Sequence, residues 1–397
     1  MATPLLPTRR GLSVAAVIAL LSAAQCAVAA ESSRESGATV HVAVNGTDDK
    51  SCGSRSNPCR SITQAIKVAR DGATVLVGPG RYGDADATAN LAGPGDEHPD
   101  ASLECMICID KRVRVLSTNG PEQTSIQEAD VTVGALVLIR ADGVTFGKRD
   151  QGFTIYGRAN RVPGQEGAAV GIAVQDASDV RVEGNVVTAV TGAAFRLDGS
   201  DGPIRVSRNL AISNQGPGFI VTGTNAGRVW LLRNSAVANR GEGFRIEGPH
   251  LVVANVANTN LLDGFVISGS GGEYFHDVSL NHLGGDGFRV EGSNHLFTRI
   301  ATHGNFFGIR FVAGEGNEVH GSNIYGNRGN EGRRQMRCGV LNASRATVVA
   351  TGNYWGARTG PGEYPADQAG KVPECDVQDG SRTVFAPFAS EPFVVIP

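Results

Sequence analysis

Aromatic side chains, an excess of charge of one sign and long apolar segments are all scarce in this 397-residue sequence. Aromatic residues make up 6% of the chain whereas 53 residues are Gly, and this balance favours many short strands and turns over a compact layered domain. The formal net charge is −3, so the chain lacks the global basic excess that is typical of nucleic-acid-binding proteins. We therefore expect no nucleic-acid partner.

The long apolar run that is present lies at the N-terminus. Arg9 and Arg10 precede the run at 11–24, and the small residues of "AVAA" end this segment. The pattern predicts an export signal over residues 1–30, followed by a flexible N-terminus over 31–38, and hence a secreted or periplasmic protein. The letters "TRRGLSV" also resemble a twin-arginine signal, so Sec and twin-arginine export both stay open. Beyond the signal, no run is long enough to span a bilayer.

Seven cysteines are present, and removal of Cys26 with the export signal leaves six. An even number of cysteines in an exported chain is typical of a disulfide framework. Proximity along the chain selects three local pairs: Cys52 with Cys59, Cys105 with Cys108, and Cys338 with Cys375. The C-x-x-C of the middle pair is also typical of redox and metal sites, but the sequence has no second C-x-x-C, which favours a structural clip.

Asparagines recur at intervals of 25, 21, 21, 24 and 22 residues in the second half of the chain. These are Asn214, Asn239, Asn260, Asn281, Asn305 and Asn327, and a second set five residues earlier comprises Asn209, Asn234 and Asn255. Each repeat contains short β-rich runs such as "FRIEG" and "FVISG", whereas helical repeats need longer amphipathic segments. Coils of about 22 residues with short strands indicate a parallel β-helix, in which equivalent residues stack and Asn side chains form a ladder.

The same periodicity predicts an interior stack of apolar residues. Its members are Ile172, Phe195, Phe219, Phe244, Phe265, Phe288 and Ile309. Both ends of such a solenoid expose strand edges and must be covered. Ser61 and the apolar spacing in "SITQAIKVARDG" predict a short amphipathic helix that caps the N-terminal end. We place the β-helix with its cap at 39–385 and a C-terminal tail at 386–397.

Two blocks carry a resemblance to a known family: "NPCRSITQAIKVARDGATVLVGPGRY" from Asn57 and "NYWGARTGPG" from Asn353. They resemble the right-handed parallel β-helices of the pectin-lyase-like superfamily, including periplasmic β-helix proteins. The likeness covers about His41 to Gly362 and implies a right-handed, single-stranded solenoid. Pectate lyases, polygalacturonases, alginate epimerases, phage tailspikes and adhesins share this fold. The resemblance thus implies a polysaccharide or cell-surface glycan as partner. We expect a monomer, although the sequence leaves the oligomeric state open.

One coil departs from the repeat. The segment "NHLGGDGF" at Asn281 has two residues more than "NLLDGF" at Asn260. On the Asn spacing, His276 takes the place of the second-set Asn and is followed at once by Asp277. The extra glycines move Asp286 onto a longer turn, and insertions in solenoids concentrate on binding faces. This coil is therefore where we expect the functional site.

The residue types around this coil match polyuronate chemistry. A lyase or epimerase needs a cation to neutralise the sugar carboxylate and a base to take a proton, and a hydrolase needs two carboxylates. We predict a catalytic set of His276, Asp277, Asp286 and Arg289, and a substrate-binding set of His282, His303, Arg310 and Arg245. No H-E-x-x-H spacing predicts metal ligands, no cofactor is required, and calcium stays open.

A second interpretation explains the same residues without a site. The repeated "FRLDG", "FRIEG" and "FRVEG" place Arg and an acid on the outer side of a strand, where such pairs contribute roughly 0–1 kcal/mol and mainly solvate the surface. The histidines would then occupy polar turns that the solenoid tolerates. The alternative function is a noncatalytic glycan-binding module or a periplasmic structural or maturation protein.

Overall fold

The chain winds into a solenoid whose coils stack through three parallel sheets. The computed structural model describes residues 38–83, 93–97, 104–128, 133–158, 169–199, 201–223, 227–282, 284–331, 334–370 and 375–397. The predicted export signal at 1–30 and the predicted flexible segment, apart from Ala38, lie outside the described residues.

Each coil contributes strands to the sheets in turn, and each sheet grows along the solenoid axis. Sheet A consists of β1 (Thr39–Val42), β2 (Thr74–Val77), β5 (Arg114–Ser117), β8 (Thr145–Phe146), β11 (Val180–Glu183), β14 (Ile204–Ser207), β17 (Val229–Leu232), β20 (Leu251–Val253), β23 (Glu273–Phe275), β26 (Leu296–Thr298), β29 (Glu318–His320), β34 (Thr347–Val349) and β35 (Arg382–Val384). Sheet B consists of β3 (Gly80–Gly83), β6 (Thr124–Gln127), β9 (Thr154–Tyr156), β12 (Val186–Thr188), β15 (Leu210–Ile212), β18 (Ser235–Val237), β21 (Val256–Asn258), β24 (Val278–Leu280), β27 (Ala301–His303) and β30 (Asn323–Ile324). Sheet C consists of β4 (Cys105–Ile109), β7 (Ala135–Ile139), β10 (Val170–Val174), β13 (Ala193–Asp198), β16 (Phe219–Thr222), β19 (Phe244–Glu247), β22 (Phe265–Ser268), β25 (Phe288–Val290), β28 (Ile309–Phe311) and β33 (Val340–Asn342). The predicted right-handed parallel β-helix is confirmed.

The predicted helix covers the N-terminal end of the solenoid, and an unpredicted hairpin lies near the other end. Helix α1 (Ile62–Val68) begins after Ser61, whose side chain accepts the backbone N–H of Gln64, and it packs against β1, β2 and β4. An antiparallel hairpin, β31 (Gly329–Glu331) with β32 (Arg334–Met336), leaves the last coils. Within the predicted tail, Phe393 exchanges two backbone hydrogen bonds with the Asn323 side chain.

All three predicted cysteine pairs are disulfide-bonded: Cys52–Cys59, Cys105–Cys108 and Cys338–Cys375. Cys52–Cys59 lies beside the N-terminal cap. Cys338–Cys375 joins the residues just before β33 to the C-terminal segment, so each of these two disulfides holds one end of the solenoid. No helix within the described ranges has the length and apolar character needed to cross a membrane.

The interior is organised in columns that run along the axis. Five phenylalanines stack with ring centroids 4.6–4.8 Å apart and planes within 5–7° of parallel: Phe195, Phe219, Phe244, Phe265 and Phe288. Ile172 and Ile309 continue the column by register at its two ends. Parallel strands about 4.8 Å apart impose this spacing on every equivalent side chain, which is why the period of the sequence predicts the stack.

Two Asn ladders line the corners where sheets meet. The first ladder, at the corner between sheets A and B (the A–B corner), contains Asn185, Asn209, Asn234, Asn255 and Asp277. The second ladder, at the corner between sheets B and C (the B–C corner), contains Asn214, Asn239, Asn260, His282, Asn305 and Asn327. Successive Asn side chains are joined by Nδ2–H donors to Oδ1 acceptors at 2.9–3.2 Å.

In one coil, the residues that occupy the ladder positions lie one residue later in the chain than the Asn spacing predicted. Asp277 continues the first ladder where His276 was expected, and His282 continues the second where Asn281 was expected. The reason is the turn between β22 and β23, which spans 269–272, whereas the preceding turn between β19 and β20 spans 248–250. Consequently the turn that follows His282 is longer than its predecessor by one residue rather than two.

Candidate functional site

The predicted catalytic residues lie at two different corners of one coil. His276 and Asp277 are at the A–B corner, between β23 and β24, whereas Asp286 precedes β25 at the B–C corner and Arg289 lies on β25. The structure therefore brings Asp286 and Arg289 together and leaves the other two apart from them.

Asp277 is an interior residue of the barrel wall. Its side chain is 0% exposed, and Oδ1 accepts the backbone N–H of Asn255 at 2.8 Å and the Asn255 Nδ2–H at 2.9 Å. Burial raises the pKa of this carboxyl to about 7, opposed by the hydrogen bonds from Asn255. His276 beside it has a left-handed backbone, with φ of 59°, and burial lowers its pKa. A polymer on the surface of the solenoid therefore has no contact with the Asp277 carboxyl.

His282 has a structural role in the second ladder. Its ring Nδ1 accepts the backbone N–H of Asn260 at 3.1 Å, and its own backbone N–H donates to Asn305 Oδ1 at 3.1 Å. Burial lowers its pKa to about 4, so the imidazole is neutral and can accept. His250 and His295 likewise accept backbone N–H groups of the preceding coil, from Val229 and Gly272. Three of the histidines are thus explained by the repeat.

Asp286 belongs to a column of three acids on adjacent coils, which we call the acid column: Glu242, Asp263 and Asp286. Each lies two residues before a stacked phenylalanine, a signal visible in the sequence as "EGF", "DGF" and "DGF", although only Asp286 was predicted. The backbone N–H of Asp286 donates to Asp263 Oδ1 at 2.6 Å.

Asp263 and Asp286 hold their protons more tightly than exposed acids do. Burial and the adjacent Asp263 carboxylate raise the pKa of Asp286 to about 7, and Arg310 opposes both effects. Burial also raises the pKa of Asp263. Neighbouring carboxylates resist double ionisation, so this pair can take up and release a proton near neutral pH.

Three arginines flank the acid column on the outer face of sheet C, and we call them the arginine row: Arg245, Arg289 and Arg310. Arg289 and Arg310 are register partners on β25 and β28, and each side chain is 40% exposed. Every member has an acidic neighbour: the ion-pair distances are 2.6 Å for Arg245–Glu242, 2.6 Å for Arg289–Glu291 and 3.8 Å for Arg310–Asp286. The surface is therefore charged, accessible and internally neutralised.

A cleft of about 310 Å³ opens at the same corner, and we call it the corner cleft. It is lined by His282, His303, Gly304, Asn305, Phe306, Gly326 and Arg328. The backbone N–H of Phe306 donates to Gly285 O at 2.9 Å, so one edge of the cleft adjoins the turn that carries Asp286. The sequence prediction included His282 and His303 but missed Phe306 and the cleft itself.

The chemistry available here is acid–base and cationic. In the part of the chain that the structure describes, no group of three or more His, Cys, Asp or Glu side chains is arranged to hold a metal ion. A buried carboxyl pair, guanidinium groups beside it and an adjoining cleft can bind a negatively charged ligand and exchange a proton with it.

Comparison with known proteins gives a family match near the N-terminus. Residues 44–89 match the family described as "Protein of unknown function (DUF1565)". No curated protein matches the sequence.

Three solved structures have a similar course of the chain. The Azotobacter vinelandii mannuronan C-5 epimerase AlgE4 A-module is 15% identical with a TM-score of 0.49, and the match covers 81% of this chain and 89% of that one. A rhamnogalacturonan lyase is 13% identical with a TM-score of 0.42 and 90% coverage of both chains. Pectate lyase Pel9A is 15% identical with a TM-score of 0.39, covering 90% of this chain and 78% of its own. Such values carry no information on activity, and the assignment rests on the coils, sheets and ladders: this chain is a right-handed parallel β-helix protein.

Proposed function

We propose that this protein is exported and binds an extended acidic polysaccharide along the B–C corner and the outer face of sheet C. The arginine row carries the proposal. Because parallel strands are about 4.8 Å apart, its members stand at multiples of that distance along a straight face. Guanidinium groups pair with carboxylates through two parallel hydrogen bonds, so a row of them suits a polymer with regularly spaced carboxylates.

We further assign proton transfer on the bound polymer to Asp286. A carboxyl whose pKa lies near 7 changes its protonation state readily at neutral pH, as a general acid or base must. In a lyase or epimerase reaction, Arg289 or Arg310 would neutralise the sugar carboxylate while Asp286 takes a proton from the adjacent carbon. In a hydrolase, Asp263 would supply the second carboxylate that Asp277 cannot supply from the interior.

A second candidate function is noncatalytic glycan binding or a structural role in the periplasm. The observation that favours it is the internal pairing of the site. Asp263 accepts a backbone N–H from Asp286, and each member of the arginine row has an acidic neighbour. Because these acids and arginines already have partners within the protein, they can form a binding or structural surface without taking part in a reaction.

The test is a screen of the purified protein against pectate, alginate and glycosaminoglycan-like polymers. Binding is measured by affinity electrophoresis, and turnover by absorbance of unsaturated products, reducing ends and epimer ratio. We expect Arg289→Gln and Arg310→Gln each to weaken binding about two- to fivefold, more at low salt. Arg233→Gln is the matched control, an exposed arginine at the A–B corner.

The outcomes separate the candidates. Turnover of one polymer by the wild type supports the catalytic assignment, and binding without turnover supports the second candidate. If the wild type binds none of the polymers, or if Arg233→Gln weakens binding as much as Arg289→Gln, the proposal is wrong.

A further inference from the structure

His303 differs from His282 and His295, which are buried, because its ring is both oriented and accessible. It is exposed at the end of β27, and its ring Nδ1 lies 2.9 Å from the backbone carbonyl oxygen of Tyr325. A carbonyl can only accept, so in the neutral imidazole Nδ1 carries the proton and Nε2 keeps its lone pair. His303 thus offers a hydrogen-bond acceptor at the wall of the corner cleft.

Two neighbours hold this ring in place. Gly326 has a left-handed backbone, with φ of 73°, and a Cβ at this position would collide with the His303 ring. The Tyr325 ring meets the imidazole edge-on, with centroids 5.2 Å apart. A ring restrained by a backbone carbonyl, a glycine and an aromatic edge is preorganised for an interaction through Nε2.

The solenoid does not require a histidine at this place. The register partners of His303 in the preceding coils are Leu280, Asn258 and Val237, which share no chemistry. His282, in contrast, occupies a ladder position that accepts a backbone N–H. The repeat therefore explains His282 and leaves His303 unexplained.

Phe306 and Arg328 complete the corner cleft. They directly follow the ladder residues Asn305 and Asn327, so they stand one coil apart, and the Arg328 backbone N–H donates to Asn305 O at 2.8 Å. Arg328 is exposed, and within the described ranges its side chain has no ion-pair partner, unlike the three members of the arginine row. An aromatic ring, an exposed guanidinium and an imidazole acceptor therefore face one cleft.

We propose that the corner cleft is a subsite for a single sugar ring that bears an anionic group, a carboxylate or a sulfate. The anionic group pairs with Arg328, the apolar face of the sugar packs on Phe306, and a sugar hydroxyl donates to His303 Nε2. A volume of about 310 Å³ is at the lower end of the range for small-molecule sites, which is roughly 300–1,000 Å³. The inference rests on the proposed function, since it supplies one recognition position of the same polymer.

The experiment uses the full mature chain labelled with ¹⁵N-histidine, with the His303 signals assigned by comparison with His303→Gln. The free protein is expected to show the Nδ1–H form of His303. Galacturonate, galactose 6-sulfate and neutral galactose are then titrated separately. We expect one or both anionic sugars to shift the His303 Nε2 signal and galactose to leave it unchanged, and the two anionic arms distinguish carboxylate from sulfate.

The matched variants are Arg328→Gln and Arg240→Gln. Arg240 follows the ladder residue Asn239 as Arg328 follows Asn327, and it is also exposed, but it lies outside the cleft. Loss of a charge-assisted hydrogen bond should weaken the anionic sugar about tenfold in Arg328→Gln, and Arg240→Gln should bind as the wild type does.

The subsite is overturned if neither anionic sugar shifts the His303 signal, or if both arginine variants weaken binding equally. Polymer binding that depends on Arg289 while His303 stays unperturbed would remove the subsite and retain the proposed function. A His303 shift with anionic sugars in a protein that binds no polymer would retain the subsite and remove the proposed function.

Discussion

Asp277 and Asp286 lie nine residues apart in one coil, and burial raises the pKa of both to about 7. At the A–B corner, Asp277 has only ladder and core neighbours: Asn255 donates to Oδ1, and Oδ2 has no hydrogen-bond partner among the described residues. At the B–C corner, Asp286 adjoins Asp263 and the accessible guanidinium of Arg310. The same residue type with the same raised pKa thus belongs to a hydrogen-bonded ladder in one region and, in the other, to a buried pair beside accessible arginines.

This difference separates the polar residues of a solenoid that are explained by folding from those that are not. A polar side chain in a column that bonds every coil to the next is explained by folding, as Asn234 and Asp277 are. A polar side chain in a column that does not bond every coil to the next, such as His303, needs another explanation. A perturbed pKa alone does not separate the two cases, because burial acts on both.

The largest expected effect is a difference in turnover rate between the Asp286→Asn and Asp277→Asn variants. Asp286→Asn should lower the rate on the processed polymer by about 100-fold or more, because it removes the proton-transferring group. Asp277→Asn should leave the rate within about twofold of the wild type, because an interior amide still accepts from Asn255. Initial rates at saturating polymer test this, with circular dichroism as the control for folding. Equal losses in both variants would contradict the division between the two corners.

The next effect tests whether the ladders stabilise the fold. Asn239 is 1% exposed, and its side chain donates to Ala211 O and Asn260 Oδ1 while accepting from Asn214. Asn239→Ala should lower the free energy of unfolding by about 1–3 kcal/mol, since buried partners are left unsatisfied.

Asn258→Ala is the matched control for this variant. Asn258 lies on the outer side of β21 in the next coil, and we expect a change within about 0.5 kcal/mol. Urea midpoints and slopes measure both. Equal midpoints for the two variants would show that the ladder contributes no more than a solvated turn.

A smaller effect concerns pH. The pKa of Asp277 is about 7 in the folded state and about 3.9 when unfolded, so the folded chain binds the extra proton between these values. The stabilising contribution is fully present below about pH 4 and is lost as the pH rises through 7. In the ladder, an Asn donates Nδ2–H to a backbone carbonyl, as Asn255 does to Leu231 O, and an Asp can donate only when protonated.

Asp277→Asn should therefore gain stability relative to the wild type as the pH rises, reaching on the order of 1–3 kcal/mol at about pH 8. Urea unfolding of both proteins at about pH 5 and pH 8 measures the difference. Burial also raises the pKa of Glu97, Asp286 and Asp367, so the wild type keeps part of its pH dependence through them. Parallel stability curves for the two proteins would contradict a protonated Asp277.

The smallest effect concerns the surface ion pairs. Arg289 and Glu291 lie 2.6 Å apart, with side chains 40% and 37% exposed. Arg289→Gln should change the free energy of unfolding by less than about 1 kcal/mol, and the change should vanish in about 0.5 M salt. A larger, salt-independent loss would mean that the arginine row serves the fold rather than a ligand.

The sequence predicted the repeated elements well and the departures from the repeat less well. The phenylalanine stack, helix α1 and the three cysteine pairs follow from period, spacing and proximity, and all are present. The position of His282 was missed because the extra residue lies in the turn at 269–272, and an interval between asparagines does not show where a coil gains length. Asp263 was missed because a repeated acid before Gly-Phe also suits a solvated turn.

Sequence alone determined the solenoid, since a period near 22 residues with short strands leaves equivalent side chains no arrangement but stacking about 4.8 Å apart. It also determined that the polar departures gather around 276–310. Only the tertiary structure decided which of them share a corner, because one extra residue in a turn moves every later side chain by one position. That shift placed Asp277 inside the barrel wall and left Asp286 beside the accessible guanidinium of Arg310.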